Sequence, residues 1–197
     1  MNASGLIVAV AMLSVLSGCA GGLVKASPPD TYALSSAPEV TGQRSRNRQI
    51  LINEPTALKA LDSEQIVIRP TPSSLQYLAN SQWSDRLPKI VQDKLVQAFE
   101  DSGRVGGVGR PGDGLAIDFK ILTAIRAFEI KADAGESAVV ELSAKLLNDR
   151  NGVVLASTVF RATAPVAGSG NAAYVQSLDR AFEVVVRDLV NWTLSRI

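Results

Sequence analysis

The strongest constraint on the fold is a pair of alternating runs, residues 136–147 (ESAVVELSAKLL) and 153–162 (VVLASTVFRA), separated by NDRNG. Apolar residues recur at every second position, the period of a half-buried strand, and Asn151-Gly152 favours the tight turn of a hairpin. Two adjacent antiparallel strands therefore commit the chain to a sheet. A further alternating run at 114–130 sets Leu115, Ile117, Phe119 and Ile121 on one side and Asp118 and Lys120 on the other. It predicts another half-buried strand.

Upstream, residues 49–55 (QILINEP) and 64–70 (EQIVIRP) read as strands that end at prolines, and 73–83 (SSLQYLANSQW) continues the sheet after a turn. TYAL at 31–34 is a short strand candidate, and ALKALD at 57–62 suits one helical turn. Between Ser84 and Ser102 the period changes. Leu87, Ile90, Val91, Leu95, Ala98 and Phe99 fall at helical steps, with Ser84 or Asp85 as the cap, Pro88 in the first turn and Gly103 as the stop. After a flexible PVAGSGN segment, Leu178, Phe182, Val185, Leu189 and Trp192 predict a long C-terminal amphipathic helix. Val184, Val186 and Val190 widen its apolar surface, which burial from both sides or oligomerisation would use. Strands in runs with two long helices between and after them give an α+β fold, with a mostly antiparallel sheet and both helices on one face. With 197 residues, 46% of them hydrophobic, the chain has material for one core, expected over residues 49–197.

The N-terminal region is of another kind. Residues 6–16 (LIVAVAMLSVL) form an apolar run of 11 residues, short of the roughly 20 that a helix needs to cross a bilayer. It fits the apolar region of a secretory signal over residues 1–18, although MNASG supplies no Lys or Arg ahead of it. Ser17 and Gly18 follow, then Cys19, the only cysteine. Leu-Ser-Gly-Cys resembles the bacterial lipobox, which implies a lipid thioether on Cys19, cleavage before it and acylation of the new amino group. Ordinary signal cleavage with an incidental cysteine, or a buried helix, are the alternatives. By resemblance to the sorting rule of enteric bacteria, Ala20 and Gly21 in place of Asp favour the outer membrane's periplasmic leaflet. Residues 19–48 read as a tether with a short strand near 31–35, and Arg44, Arg46 and Arg48 as charges on a solvated loop, against contact with lipid head groups or an acidic partner.

Composition narrows the chemistry. Twenty basic residues balance 19 acidic ones, so no net field draws the protein to nucleic acid. Histidine is absent, which removes the usual general base and the commonest metal ligand, and one cysteine builds neither a disulfide nor a zinc site. GVGRPG at 107–112 matches GxGxxG but follows a helix and precedes a strand, the reverse of a dinucleotide loop, so it reads as a plain mobile loop. Carboxylate pairs such as Glu100 with Asp101 or Asp113 with Asp118 read as solvated charge. No catalytic residue, metal or cofactor is expected beyond lipid on Cys19. Tyr77 and Trp83 suit a lipid groove or a subunit contact, with core packing as the ordinary alternative.

TYAL, the stretch from Ile50 to Gly103 (ILINEPTALKALDSEQIVIRPTPSSLQYLANSQWSDRLPKIVQDKLVQAFEDSG) and AKLLNDRNGVVLAS together resemble the ABC-type transport auxiliary lipoproteins, the family of the paraquat-inducible protein C lipoproteins. The similarity spans most of residues 31–190 and is most specific from Leu61 to Phe99. The family's YYxL opening is reduced here to Tyr32-Ala33-Leu34, which draws attention to Tyr32. The resemblance implies a periplasm-facing lipoprotein that is not an enzyme. It would work with an ABC permease, its ATPase and a mammalian-cell-entry (MCE) domain protein in moving lipids or other hydrophobic compounds between the inner and outer membranes, and it leaves room for a homo-oligomer. A lipid-carrying binding protein and a structural envelope lipoprotein are the other readings.

Overall fold

The computed structural model describes residues 28–35, 40, 44–133 and 135–197. The elements are β1 (Asp30–Tyr32), β2 (Ser45–Ile52), β3 (Thr56–Ala57), β4 (Gln65–Thr71), β5 (Ser74–Trp83), α1 (Leu87–Ser102), β6 (Val105–Gly109), β7 (Phe119–Lys131), β8 (Ser137–Asn148), β9 (Val154–Pro165) and α2 (Asn171–Leu194).

The nine strands form one sheet with β7 as its axis. One edge of β7 is shared in succession by β2, β3 and β4, all parallel to it, while the other edge pairs antiparallel with β8 along its length. Beyond β2 lies β6, beyond β4 lie β5 and β1, and beyond β8 lies β9. The sheet is therefore mixed, with five parallel and three antiparallel pairings, and not mostly antiparallel as the sequence suggests. The reason lies in the connection. Between β4 and β7 the chain passes through α1, and a crossover that includes a helix returns the chain in its original direction.

Burial in β7 alternates, with Phe119, Ile121, Thr123 and Ile125 inside. At Arg126 the register with β8 slips by one residue, after which Phe128 and Ile130 are the buried apolar positions, with Glu129 between them buried against Arg69 at 2.7 Å. This bulge resets the phase, so both halves of a long strand feed the same core. The strand starts at Phe119 and not at Leu115, which is 42% exposed. Pairing with β2 begins where Asp118 engages Gln49, whose carbonyl accepts the Asp118 N–H at 2.9 Å.

The helix over 87–102 buries the expected Leu87, Ile90, Val91, Leu95, Ala98 and Phe99. Neither Ser84 nor Asp85 caps it. Arg86 takes that position, the Leu87 N–H donates to the Ser63 carbonyl at 3.0 Å, and Pro88 has no N–H, so the first turn has fewer donors in need of a cap. Gly103 ends the helix at φ 57°, its N–H reaching the Glu100 carbonyl. α2 touches β7, β8, β9 and α1, and α1 touches β2 and β6. Trp83 meets Phe128 edge-on at 5.7 Å, and Phe128 meets Phe182 at 5.6 Å, so β5, β7 and α2 are joined through three rings. Buried residues from Leu34 to Leu194 form one continuous core.

Three loop expectations need correction. The hairpin between β8 and β9 is not closed by a two-residue Asn-Gly turn. Its loop is wider, with the Asn148 N–H on the Val153 carbonyl at 2.9 Å and only Gly152 at positive φ, because the Asn148 and Asn151 side chains each accept a backbone N–H two residues on. The glycine-rich stretch is not simply a loop, since its first half is β6, parallel to β2. Arg46 and Arg48 stand on β2 and not in a loop, with the Arg48 guanidinium 3.7 Å from Asp118 and 5.7 Å from the Phe119 ring centre.

Asn80, in a bulge of β5, is the one non-glycine among the described residues at positive φ, 53°. Asn tolerates this conformation better than most residues. Asn171 clamps it from the start of α2, donating to the Ala79 carbonyl at 3.0 Å and to Ser81 Oγ at 2.7 Å. Asn171→Ala is expected to cost about 1–2 kcal/mol, seen as a lower denaturant midpoint at unchanged slope.

Candidate functional site

The residues singled out in the sequence separate in space. Cys19 lies outside the described residues. Tyr32 on β1 stands opposite Trp83 on β5 and packs against the core. Trp83 is 1% exposed, so it is a core residue and not a groove or subunit contact. Tyr77 stays at the surface, 44% exposed, opposite Val67 on β4.

The unfilled surface is elsewhere, on β7, β8 and β9. Pairing aligns Leu122, Lys145 and Ser157 in one row, Ala124, Ser143 and Val159 in the next, and Ala127, Glu141 and Arg161 in a third. These side chains are half-buried or exposed, whereas Ala144, Leu142 and Leu146 between them on β8 are buried. Two shallow hollows lie over this surface. One, of about 400 Å³, opens between β7, β8 and the β2–β3 connection at Asn53 and Glu54. The other, of about 340 Å³, runs from β7 across β8 to Val159. Arg126, Ser143 and Lys145 line both, which makes them one trough. The bulge in β7 is what brings Arg126 there, since the extra residue has no partner on β8.

The charges divide unequally. Glu141 holds Arg161 at 2.7 Å, with Arg126 further off at 3.9 Å, and Glu54 is taken by Arg86 at 3.2 Å. Lys145 makes no ion pair among the described residues. The trough wall at Asn53 also holds an Oδ1 with no hydrogen-bond partner among the described residues.

β9 bounds this surface as an edge strand of 12 residues, paired on its β8 side alone among the described residues. Val153, Val154, Leu155 and Val159 are each 44–53% exposed along it. From Val154 to Phe160 it carries no Lys, Pro or acidic residue, the usual devices that protect an edge from pairing. Such a strand presents unpaired backbone groups and aliphatic side chains together, which suits contact with another protein. The consecutive Val153, Val154 and Leu155 were the sequence signal for it, since strict alternation leaves one of two neighbours outside. Among the described residues no helix is long and apolar enough to cross a membrane, and no three His, Cys, Asp or Glu side chains gather as metal ligands.

Known proteins share this sequence and fold. The profile of a family described as "ABC-type transport auxiliary lipoprotein component" matches residues 32–190. An uncharacterized protein of Bradyrhizobium diazoefficiens is 30% identical over 145 residues, 74% of this chain, which spans 39% of that relative's length. The crystal structure of a Xanthomonas campestris protein superposes with a TM-score of 0.77 at 31% identity, over 84% of this chain and 95% of that one. A second crystal structure, of an uncharacterized protein, has a TM-score of 0.69 at 14% identity, over 85% of this chain and 99% of that one, and shares the fold.

Proposed function

Because this chain belongs to the family of ABC-type transport auxiliary lipoprotein components, we propose that it is the docking lipoprotein of an envelope transporter, tied to a membrane by lipid on Cys19. The residues between Cys19 and β1 act as the tether and the domain faces the periplasm, with the outer membrane favoured by Ala20 and Gly21. Its partners are an ABC permease, the ATPase and an MCE-domain protein, and the cargo is lipid or another hydrophobic compound moved between the two membranes. The chain's part is to bind and position, without catalysis. The observation that carries the docking reading is the unprotected β9 edge with its exposed aliphatics.

Two experiments test it. Acyl chains stabilise membrane attachment by about 0.8 kcal/mol per buried CH₂, and two or more chains anchor lastingly. Cys19→Ala should therefore lose metabolic palmitate label and move from the membrane to the soluble fraction. Unlabelled wild-type protein would count against the anchor. For docking, the solubilised full-length chain should co-purify with an ABC permease, its ATPase and an MCE-domain protein from its own cells. The Leu155→Lys/Val159→Lys variant should lower that recovery about tenfold, because charge is forced into an apolar contact. Both positions are about half exposed, so its thermal midpoint should stay near wild type. Full recovery with the variant would place the contact elsewhere.

A further inference from the structure

We propose that the trough on β7 and β8 binds an anionic amphiphile, with the oxyanion between Arg126 and Lys145 and the first carbons of its chain over Leu122 and Ala124. This goes beyond the docking reading and rests on different strands. Its basis is local charge imbalance joined to a shaped hollow. Both acids nearby are engaged elsewhere, Glu54 by Arg86 at 3.2 Å and Glu141 by Arg161 at 2.7 Å. Arg126 has only the 3.9 Å approach to Glu141, and Lys145 makes no ion pair among the described residues. Both cations line the same two hollows. An oxyanion with two or more acceptor oxygens satisfies both at once through charge-assisted hydrogen bonds.

The apolar part follows from the floor. Leu122 and Ala124 line the larger hollow between these cations and the β2–β3 connection. A bare inorganic anion leaves that surface uncovered, and a neutral chain leaves the charges unmatched. At about 400 Å³ and open to solvent, the hollow houses a head group and a few carbons, so the rest of a long chain stays outside. Asn53 lines the same hollow from the β2–β3 connection, and its Oδ1 is buried without a hydrogen-bond partner among the described residues. A native interior leaves few such groups unused, and a bound head group would supply the missing partner.

The test is calorimetric titration of the full-length protein in non-ionic detergent with hexyl phosphate, inorganic phosphate, hexanol and a hexaglutamate peptide. Hexyl phosphate should bind saturably and at least about tenfold more tightly than inorganic phosphate or hexanol. Arg126→Gln/Lys145→Gln should weaken it about tenfold or more, whereas Arg126→Lys/Lys145→Arg should retain most of the affinity. The retained binding of the charge-keeping variant separates loss of the site from loss of the fold. Equal affinity for inorganic phosphate would overturn the amphiphile assignment in favour of a simple anion site. Equal or tighter binding of hexaglutamate would overturn it in favour of an acidic protein surface. Unchanged binding in the Gln variant, or no saturable binding, would remove the site altogether. Partner co-purification is read separately, so failure here leaves the docking reading standing.

Discussion

Trp83→Ala should lower the unfolding free energy by about 3–5 kcal/mol, the range for deleting a large buried aromatic, whose cavity the neighbours refill only in part. The indole is 1% exposed and sits edge-on to Phe128, which in turn packs on Phe182 of α2. Removing it takes one side from a contact that joins β5 through β7 to the C-terminal helix. Since domains of this size are stable by about 5–15 kcal/mol, the variant should unfold early in denaturant or accumulate poorly. Trp83→Phe keeps a ring and should cost less, about 1–3 kcal/mol. Tyr77→Ala, at a position 44% exposed, should cost about 0.5 kcal/mol or a little more. Equal effects at Trp83 and Tyr77 would contradict the placement of Trp83 in the core.

Gly106→Ala should destabilise by about 3 kcal/mol, the upper part of the range for forced overpacking. A Cβ there would lie 2.3 Å from the Arg46 carbonyl oxygen and 3.1 Å from that of Arg48, both backbone atoms that cannot turn aside. β6 and the start of β2 would have to separate. Gly107→Ala is the internal control, because its Cβ would meet only the Gln49 side chain, at 3.5 Å or more. It should be neutral within about 1 kcal/mol, since alanine loses less backbone entropy than glycine in a strand. Chemical denaturation gives the two magnitudes. Hydrogen exchange should place the Gly106→Ala damage in β2 and β6 first, and protection there equal to wild type would refute the close-approach account.

The glycine stretch shows where sequence reading stops. GVGRPG follows a helix, unlike a phosphate loop, and its reading as a plain loop fails because its first half is β6. Nothing local distinguishes a glycine chosen for freedom from one chosen because another backbone passes within contact distance. The same holds for Trp83. An aromatic tip next to a turn fits core, groove or interface equally, and only the arrival of Phe128, some 45 residues later in the chain, fixes which.

The trough was less legible still. Lys145 and Leu122 belong to two separate alternating runs, and Arg126 is a charged residue within one of them. Their convergence depends on the β7–β8 register and on the bulge at Arg126 that shifts it. Register is set by which residues find the core when all elements pack, so no window of one strand contains it.

By itself the sequence determined the repeating units. The 2-residue period set β2, β4, β7, β8 and β9, the 3.6-residue period set both helices, Pro88 and Gly103 marked the limits of α1, and the motif order from Tyr32 to the β8–β9 hairpin carried the family. These are local properties, since side-chain alternation and backbone permission depend on neighbours along the chain. Tertiary structure alone decided that three parallel strands share one edge of β7, that Trp83 is interior, and that β9 is an edge strand among the described residues. Those outcomes arise from which distant segments exclude water together, a competition settled only when the whole core closes.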